Sequence, residues 1–218
     1  MKKAIVIGNG DLFQKPQIEE KAYIVAVDGG YKYIKQYRIK TDLVLGDFDS
    51  EDKKRVICKN IITLPVHKDD TDTSYAINYL IEKGYDEFEL YGMLGGNRFE
   101  HSLANIQVLA KIGKLGLNGK IYSPDLSYYL QIISGPRNIG IKRKSGTPFS
   151  LFAYTEKVQG LSIKGAEYNL EHHDLSNLNP LGISNTFVEN IVNISIEAGL
   201  LLICLLYTSD AADEARSV

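Results

Sequence analysis

Short apolar runs alternate with helix-like stretches along the first half of the chain. One apolar stripe predicts a helix over 73–83 and a second predicts a helix over 102–111, with Gly84 and Gly113 as their expected ends. Strands that alternate with helices indicate an α/β fold, with a mostly parallel sheet and helices on both of its faces. The apolar runs are short and are flanked by turn residues. They predict buried strands at 4–7, 23–27, 43–45, 61–64 and 87–91.

The pattern changes after about residue 124. No long helix is predicted beyond this point, and the spacing is typical of a small antiparallel β domain, a sandwich or a barrel. We therefore expect an α/β domain over 1–124 and a β domain over 125–204. Glycine-rich and asparagine-rich turns separate the strands predicted in this part, at 138–142, 148–153, 161–164, 191–197 and 200–203.

The end of the chain differs in composition from the rest. Residues 205–218 shift to small and acidic side chains with no apolar face. A frayed natural terminus is one interpretation, and a non-native or disordered tail is the one we favour. The segment is therefore left out of the functional argument.

Composition and charge argue against nucleic-acid-binding, disulfide-rich, secreted and membrane-spanning proteins. The 218 residues carry a formal net charge of -2, which gives no electrostatic footprint for nucleic acid. The two cysteines, Cys58 and Cys204, argue against a disulfide scaffold and fit a reducing cytosol. The first apolar run is too short for a signal peptide, and the longest is too short to span a membrane. We expect a cytoplasmic protein with neither a nucleic-acid nor a membrane partner.

Two acidic motifs closely follow predicted strands. The first, Gly-Asp-Phe-Asp-Ser at 46–50, contains Asp47 and Asp49, and the second, Lys-Asp-Asp-Thr-Asp at 68–72, ends with Asp72. In an open α/β sheet, ligands bind at the carboxyl ends of the strands, so the two motifs are expected to meet there. Converging carboxylates repel one another unless a cation lies among them, and their oxygens suit Mg²⁺. The pattern indicates metal-assisted phosphoryl transfer from a nucleotide.

Simpler interpretations exist for each motif. A lone Asp-x-Asp is usually a turn, and Asp72 also suits the N-terminal cap of the helix predicted at 73–83. The glycines in Asp-Gly-Gly at 28–30 would let the backbone approach a phosphate, and a tight strand-to-helix turn explains them equally well. Arg98, in the glycine-rich stretch at 92–101, suits bidentate phosphate recognition.

Taken in order, these motifs resemble those of thiamine pyrophosphokinase. The series consists of the motifs at 28–30, 46–50 and 68–72 and the run Gly-Gly-Asn-Arg-Phe-Glu-His at 95–101, followed by Leu-Ala-Asn at 103–105. The resemblance extends over residues 1–203. The family's C-terminal domain is similar to the stretches at 149–152, 160–165, 181–185 and 199–203.

The resemblance implies an activity and a set of site residues. ATP and thiamine would give thiamine diphosphate and AMP with Mg²⁺ as cofactor, in a homodimer whose active site lies near the subunit interface. The domain over 1–124 would bind ATP and Mg²⁺, and the domain over 125–204 would bind thiamine and contribute to the dimer contacts. By similarity, the metal and the chemistry would be assigned to Asp47, Asp49 and Asp72. Thiamine would contact Ser184 and Asn185, and ATP would contact Asp28, Gly29, Gly30, Lys68, Thr71, Arg98 and Glu100.

The chain departs from the family pattern at three points. The stretch at 95–97, before Arg98, belongs to a part of the motif that varies in length. Glu100 stands where the family usually has Asp, which lengthens the side chain by one methylene. Some relatives stack a Trp on thiamine, and because this chain has no Trp, a Tyr, a Phe or an aliphatic residue must serve, with Phe187 as one candidate. The alternative functions are a non-catalytic thiamine- or nucleotide-binding regulator and another Mg²⁺-dependent transferase that uses a nucleotide.

Overall fold

Six strands between residues 3 and 122 pair in parallel. The alternation of apolar runs and helix-like stretches predicts the first five, and the sixth, at Asn118–Tyr122, is not among the predicted strands. The computed structural model describes residues 1–47, 56–65 and 69–206, and places these strands in the order β6–β5–β1–β2–β3–β4. Every pairing among them is parallel. The strands are β1 (Lys3–Ile7), β2 (Tyr23–Val27), β3 (Leu43–Gly46), β4 (Ile61–Thr63), β5 (Glu87–Tyr91) and β6 (Asn118–Tyr122).

Helices connect several of these strands. A 3-10 turn at Asp28–Gly30 leads into α1 (Tyr31–Tyr37), and α2 (Asp72–Glu82) and α3 (Phe99–Lys114) follow β4 and β5. The α2 prediction is confirmed: on its apolar face Ala76, Ile77 and Leu80 are fully buried and Ile81 is half-buried, and Gly84, with φ of +80°, follows its end. Among the described residues, no helix is both long and apolar enough to cross a membrane.

A second group of strands, from the latter part of the chain, is antiparallel, which confirms the predicted fold class. One set runs β12–β9–β14–β7, and a separate four-stranded sheet runs β11–β10–β13–β8. The bounds are β7 (Tyr128–Ser134), β8 (Arg137–Lys142), β9 (Pro148–Ala153), β10 (Lys157–Lys164), β11 (Leu170–Ser176), β12 (Asn185–Thr186), β13 (Ile191–Ile196) and β14 (Leu200–Leu206).

The chain forms two compact units. Unit 1 comprises residues 1–109 and 117–126, and unit 2 comprises residues 110–116 together with the chain from 127 onward. In unit 1, one face of the parallel sheet packs Ile5 and Ile7 of β1 against Tyr33 and Ile34 of α1. Ala4 and Val6 of β1 face the other side of the sheet and are also fully buried. Burial on both sides is expected, because parallel sheets are covered on both faces.

The end of α3 differs from the prediction. The helix continues through Gly113 to Lys114, and Gly116, with φ of +73°, follows it. A Cβ atom at position 113 would overlap the carbonyl oxygen of Ile132 in β7. Gly113 therefore permits close packing of the helix on a strand and does not end the helix.

β14 extends beyond the point where the tail is predicted to begin. Leu205 lies opposite Tyr129 of β7 and Phe149 of β9, and its side chain is fully buried. Leu205 and Leu206 thus belong to the β unit and not to the tail. Residues 207–218 lie outside the described residues.

We expect Leu205→Ala to lower the free energy of unfolding by about 3 kcal/mol, because it truncates a fully buried side chain and leaves a cavity in the core. The matched control is Leu206→Ala, since the Leu206 side chain is 36% exposed and its loss should cost less than about 0.5 kcal/mol. Urea unfolding followed by circular dichroism measures both values. Equal effects of the two variants would contradict the strand assignment.

Candidate active site

A cleft opens at the carboxyl ends of the unit 1 strands. Its volume is about 570 Å³, within the usual range for small-molecule sites. This position agrees with the rule that ligands bind beyond the carboxyl ends of parallel strands. The walls are formed by residues 8–10 after β1, Val27 and Asp28 at the end of β2, residues 70–73 at the start of α2, Gly92, Met93 and residues 95–98 after β5, and His101, Ala104 and Asn105 of α3.

Three carboxylates converge in this part of unit 1. Oxygen atoms of Asp28, Asp47 and Asp72 all lie within 4.8 Å of one another, and all three side chains are half-buried. Like charges at this separation repel, and a bound cation would offset that repulsion. Carboxylate oxygens are hard ligands of the kind that Mg²⁺ prefers, so the donor set fits this metal.

The sequence assigns Asp47 and Asp72 to one metal site, and the structure brings them together. It also brings Asp28 to the same point, although the resemblance places Asp28 among the nucleotide contacts. Because Val27 lies opposite Leu45 in the register of β2 and β3, Asp28 must end near Asp47. The strand-end rule, applied to β2 as well as β3, would have found this residue. Asp49 and Lys68 lie outside the described residues.

Close backbone contact places Asp28 beside the end of β3. A Cβ atom at position 46 would lie 3.0 Å from Asp28 Cα and 3.2 Å from its backbone nitrogen, so glycine permits this approach. Asp28 itself has φ of +51°, a conformation that Asp and Asn adopt more readily than most residues.

Gly29 and Gly30, which follow Asp28 in the 3-10 turn, are both buried. A Cβ atom at position 30 would overlap the carbonyl oxygen of Ile7, and one at position 29 would overlap the Asn9 side chain. The two glycines therefore allow the turn to pack on the end of β1, which is the tight-turn interpretation of this motif.

The start of α2 presents polar groups to the cleft. The Thr71 hydroxyl caps the helix by accepting a hydrogen bond of 3.1 Å from Ser74 N–H, and Asp70 Oδ1 accepts one of 2.9 Å from Thr71 N–H. Asp72 is the first residue of the helix. The N-terminal end of a helix favours anions, so a phosphate group is well suited to this wall.

Arg98 and Glu100 form an exposed ion pair beside the cleft. Arg98 Nε lies 2.7 Å from Glu100 Oε1, and both side chains are more than half exposed. The hydrogen bond from Arg98 holds the pKa of the Glu100 carboxyl below its usual range. The pair uses the Nε edge, and a guanidinium carries further N–H donors on its other edge. An arginine held in this way can still contact a phosphate.

The two predicted thiamine contacts lie in unit 2 and differ in exposure. Ser184 is exposed, with φ of +60°. Asn185 is buried, and its Oδ1 accepts a hydrogen bond of 3.0 Å from Tyr168 N–H while its Nδ2 donates one of 2.8 Å to the Tyr168 carbonyl. The Asn185 side chain therefore holds the backbone of Tyr168, whose own side chain is 64% exposed.

Phe187 is not available as the aromatic partner of a ligand. Its side chain is only 1% exposed and packs edge-on against Phe149, with a distance of 5.3 Å between the ring centroids. Burial alternates over residues 185–187, so Asn185 and Phe187 face the core while Thr186 is half-buried.

Comparison with known proteins gives the family of the chain. The family model "Thiamin pyrophosphokinase, catalytic domain" matches residues 15–121, and "Thiamin pyrophosphokinase, vitamin B1 binding domain" matches residues 137–201. A thiamine pyrophosphokinase from Bacillus subtilis is 29% identical over 190 residues, which cover 84% of this chain and 87% of that protein.

Solved structures show the same fold. The crystal structure of thiamine pyrophosphokinase from Bacillus subtilis matches with a TM-score of 0.83 at 23% identity, covering 95% of this chain and all of that chain. Yeast thiamin pyrophosphokinase matches with a TM-score of 0.73 at 14% identity, covering 94% of this chain and 86% of that one. With both family models matched along one chain, the protein belongs to the thiamine pyrophosphokinase family of enzymes.

Proposed function

We propose that this protein transfers the diphosphoryl group of ATP to the hydroxyl of thiamine, giving thiamine diphosphate and AMP. The observation that carries the proposal is the convergence of Asp28, Asp47 and Asp72, two of which, Asp28 and Asp72, line the same cleft as Arg98. Membership of the family supplies thiamine as the acceptor and a nucleotide as the donor. Mg²⁺ is the proposed cofactor, because the donor set consists of carboxylate oxygens.

The chain's own residues position the reactants and balance charge. In the proposed step, the thiamine hydroxyl oxygen bonds to the β-phosphorus of ATP, the bond from that phosphorus to the α-phosphate oxygen breaks, and the hydroxyl proton is released. A bound Mg²⁺ supplies charge neutralisation on the phosphate oxygens. Arg98 and the N-terminal end of α2 bind the same oxygens, and a carboxylate of the cluster orients the hydroxyl. Such transfers depend mainly on positioning and electrostatic stabilisation.

Unit 2 is proposed to recognise thiamine. The region matched by the vitamin B1 binding model includes Tyr168, Ser184 and Asn185. Asn185 uses its side chain to hold Tyr168, which leaves the exposed phenol ring and the Ser184 hydroxyl as groups that can contact a ligand. An aromatic ring of this kind suits a cationic, planar ligand such as thiamine. We extend the proposal to a homodimer, as the family resemblance implies, and to a cytoplasmic location, as the cysteine content indicates.

The experiment that tests this function uses the full chain with ATP and thiamine, with and without Mg²⁺. Chromatography should show AMP and thiamine diphosphate in equal amounts, and only when the metal is present. Binding of thiamine or ATP without either product would favour the regulator. Consumption of ATP that does not depend on thiamine would favour another Mg²⁺-dependent transferase.

We expect Asp28→Asn to raise the Mg²⁺ concentration needed for half-maximal activity by at least about tenfold. The change removes one charge with little change in volume, and Asn tolerates the left-handed backbone at this position. The control is Asp86→Asn, because Asp86 accepts a hydrogen bond from Lys2 N–H just before β5 begins, away from the cleft. An unchanged Mg²⁺ dependence would exclude Asp28 from the metal site.

We expect Tyr168→Ala to raise the KM for thiamine about tenfold and to leave the KM for ATP unchanged, because it removes the exposed ring. Tyr168→Phe keeps the ring and should stay close to the wild-type value. The control is Phe13→Ala, which removes an exposed ring from unit 1. Steady-state kinetics with each substrate varied in turn measure these constants, and an equal rise for both substrates would contradict the assignment.

A further inference from the structure

The loop that carries Arg98 begins with a glycine-rich turn at 92–96. The segment that follows β1 forms hydrogen bonds with this turn at several positions. Gly10 N–H donates a hydrogen bond of 2.7 Å to the Gly92 carbonyl, and Asp11 N–H donates one of 2.9 Å to the Leu94 carbonyl. These two bonds continue the parallel pairing of β1 with β5 beyond the ends of both strands. The turn is therefore attached to the segment after β1 by backbone contacts.

The Asp11 side chain adds a contact of a different kind. Its Oδ2 accepts a hydrogen bond of 2.7 Å from Gly96 N–H. A Cβ atom at position 95 would overlap this same oxygen, so Gly95 allows the carboxylate to lie directly against the turn. Gly95 and Gly96 have φ of +77° and +80°, which glycine adopts without strain. A bond from a carboxylate to a backbone N–H is charge-assisted and stronger than a neutral one.

α3 holds the turn from its other side. Ser102 Oγ accepts a hydrogen bond of 3.1 Å from Gly95 N–H, and Asn105 Nδ2 donates one of 2.8 Å to the Met93 carbonyl. Gly96, the last residue before Asn97 and Arg98, is bound by Asp11.

Asp11 is itself fixed by α1. The Tyr33 hydroxyl donates a hydrogen bond of 2.7 Å to the Gly10 carbonyl, and the Tyr37 hydroxyl donates one of 3.1 Å to the Leu12 carbonyl. These bonds flank Asp11 on both sides. A carboxylate on a backbone held in this way can restrict the glycines that it binds.

We propose that Asp11 is a positioning residue that holds the 92–96 turn so that Arg98 meets the phosphates of the nucleotide. The inference rests on the proposed function for the identity of that nucleotide. Two consecutive glycines have wide conformational freedom, and the bond to Gly96 N–H limits it two residues before Arg98. Asp11 acts through the turn and does not contact the substrate.

The test compares Asp11→Ala with Asp11→Asn in the full chain. Asp11→Ala removes the acceptor and should raise the KM for ATP about tenfold, or about 1.4 kcal/mol, with the KM for thiamine unchanged. Asp11→Asn retains a carbonyl oxygen that can accept from Gly96 N–H, and should restore most of the ATP affinity. A general loss of stability would not be rescued in this way.

Asp86→Ala is the matched control. Asp86 Oδ1 accepts a backbone hydrogen bond of the same length, 2.7 Å, from Lys2 N–H, and the Asp86 side chain is half-buried like that of Asp11. We expect it to leave the KM for ATP at the wild-type value. A wild-type KM for Asp11→Ala, or an equal rise for Asp86→Ala, would overturn the proposal.

A binding measurement separates this proposal from the proposed function. Isothermal titration of each variant with ATP and Mg²⁺ needs no turnover. If the wild-type protein binds ATP but forms no thiamine diphosphate, the proposed function fails, and the ratio of the Asp11→Ala and wild-type dissociation constants still decides the role of Asp11. If the wild-type protein does not bind ATP, both proposals are overturned.

Discussion

The candidate site depends on one constraint, the electrostatic repulsion among carboxylates that the fold brings together at one edge of the sheet. Asp28, Asp47 and Asp72 have oxygens within 4.8 Å of one another, and at an effective dielectric constant of about 20 each pair of charges at that distance would repel by several kcal/mol. Glycine at position 46 permits the close backbone approach that brings two of these side chains together. Half-burial keeps the carboxylates in contact with solvent, which limits the cost in the absence of a cation. A fold that accepts this repulsion gains a set of carboxylate oxygens that fits a divalent cation.

A different constraint applies in unit 2, where a buried polar side chain organises an exposed one. Asn185 is 6% exposed and would be costly to bury without hydrogen-bond partners. Tyr168 N–H and C=O satisfy its amide, and Thr186 N–H donates a further bond of 2.8 Å to its Oδ1. The amide group therefore stabilises a turn, and the turn exposes an aromatic ring. A residue that the motif resemblance assigns to ligand contact is in this structure a support for its neighbour.

The sequence predicts those features that depend on local pattern. Strands β2, β5 and β9 have the predicted bounds because their apolar runs end at clear turn residues. α1 was not predicted, because its buried face consists largely of tyrosines, Tyr31 and Tyr33, in a helix of only seven residues. β11 was not predicted either, since most of its side chains are exposed and polar.

The carboxylates of unit 1 show why the rest could not be predicted. Asp11, Asp42 and Asp86 accept hydrogen bonds from the backbone N–H groups of Gly96, Ile24 and Lys2, and so fix turns and strand ends. The carboxylates of Asp28, Asp47 and Asp72 lie close to one another. All six are the same residue type, and all lie at or near the ends of strands or helices. Their separate roles follow from which atoms each oxygen meets, which depends on strand order and register. A spacing rule along the chain can place aspartates at a sheet edge, and the pairing of β1 with β5 and of β2 with β3 decides what they do there.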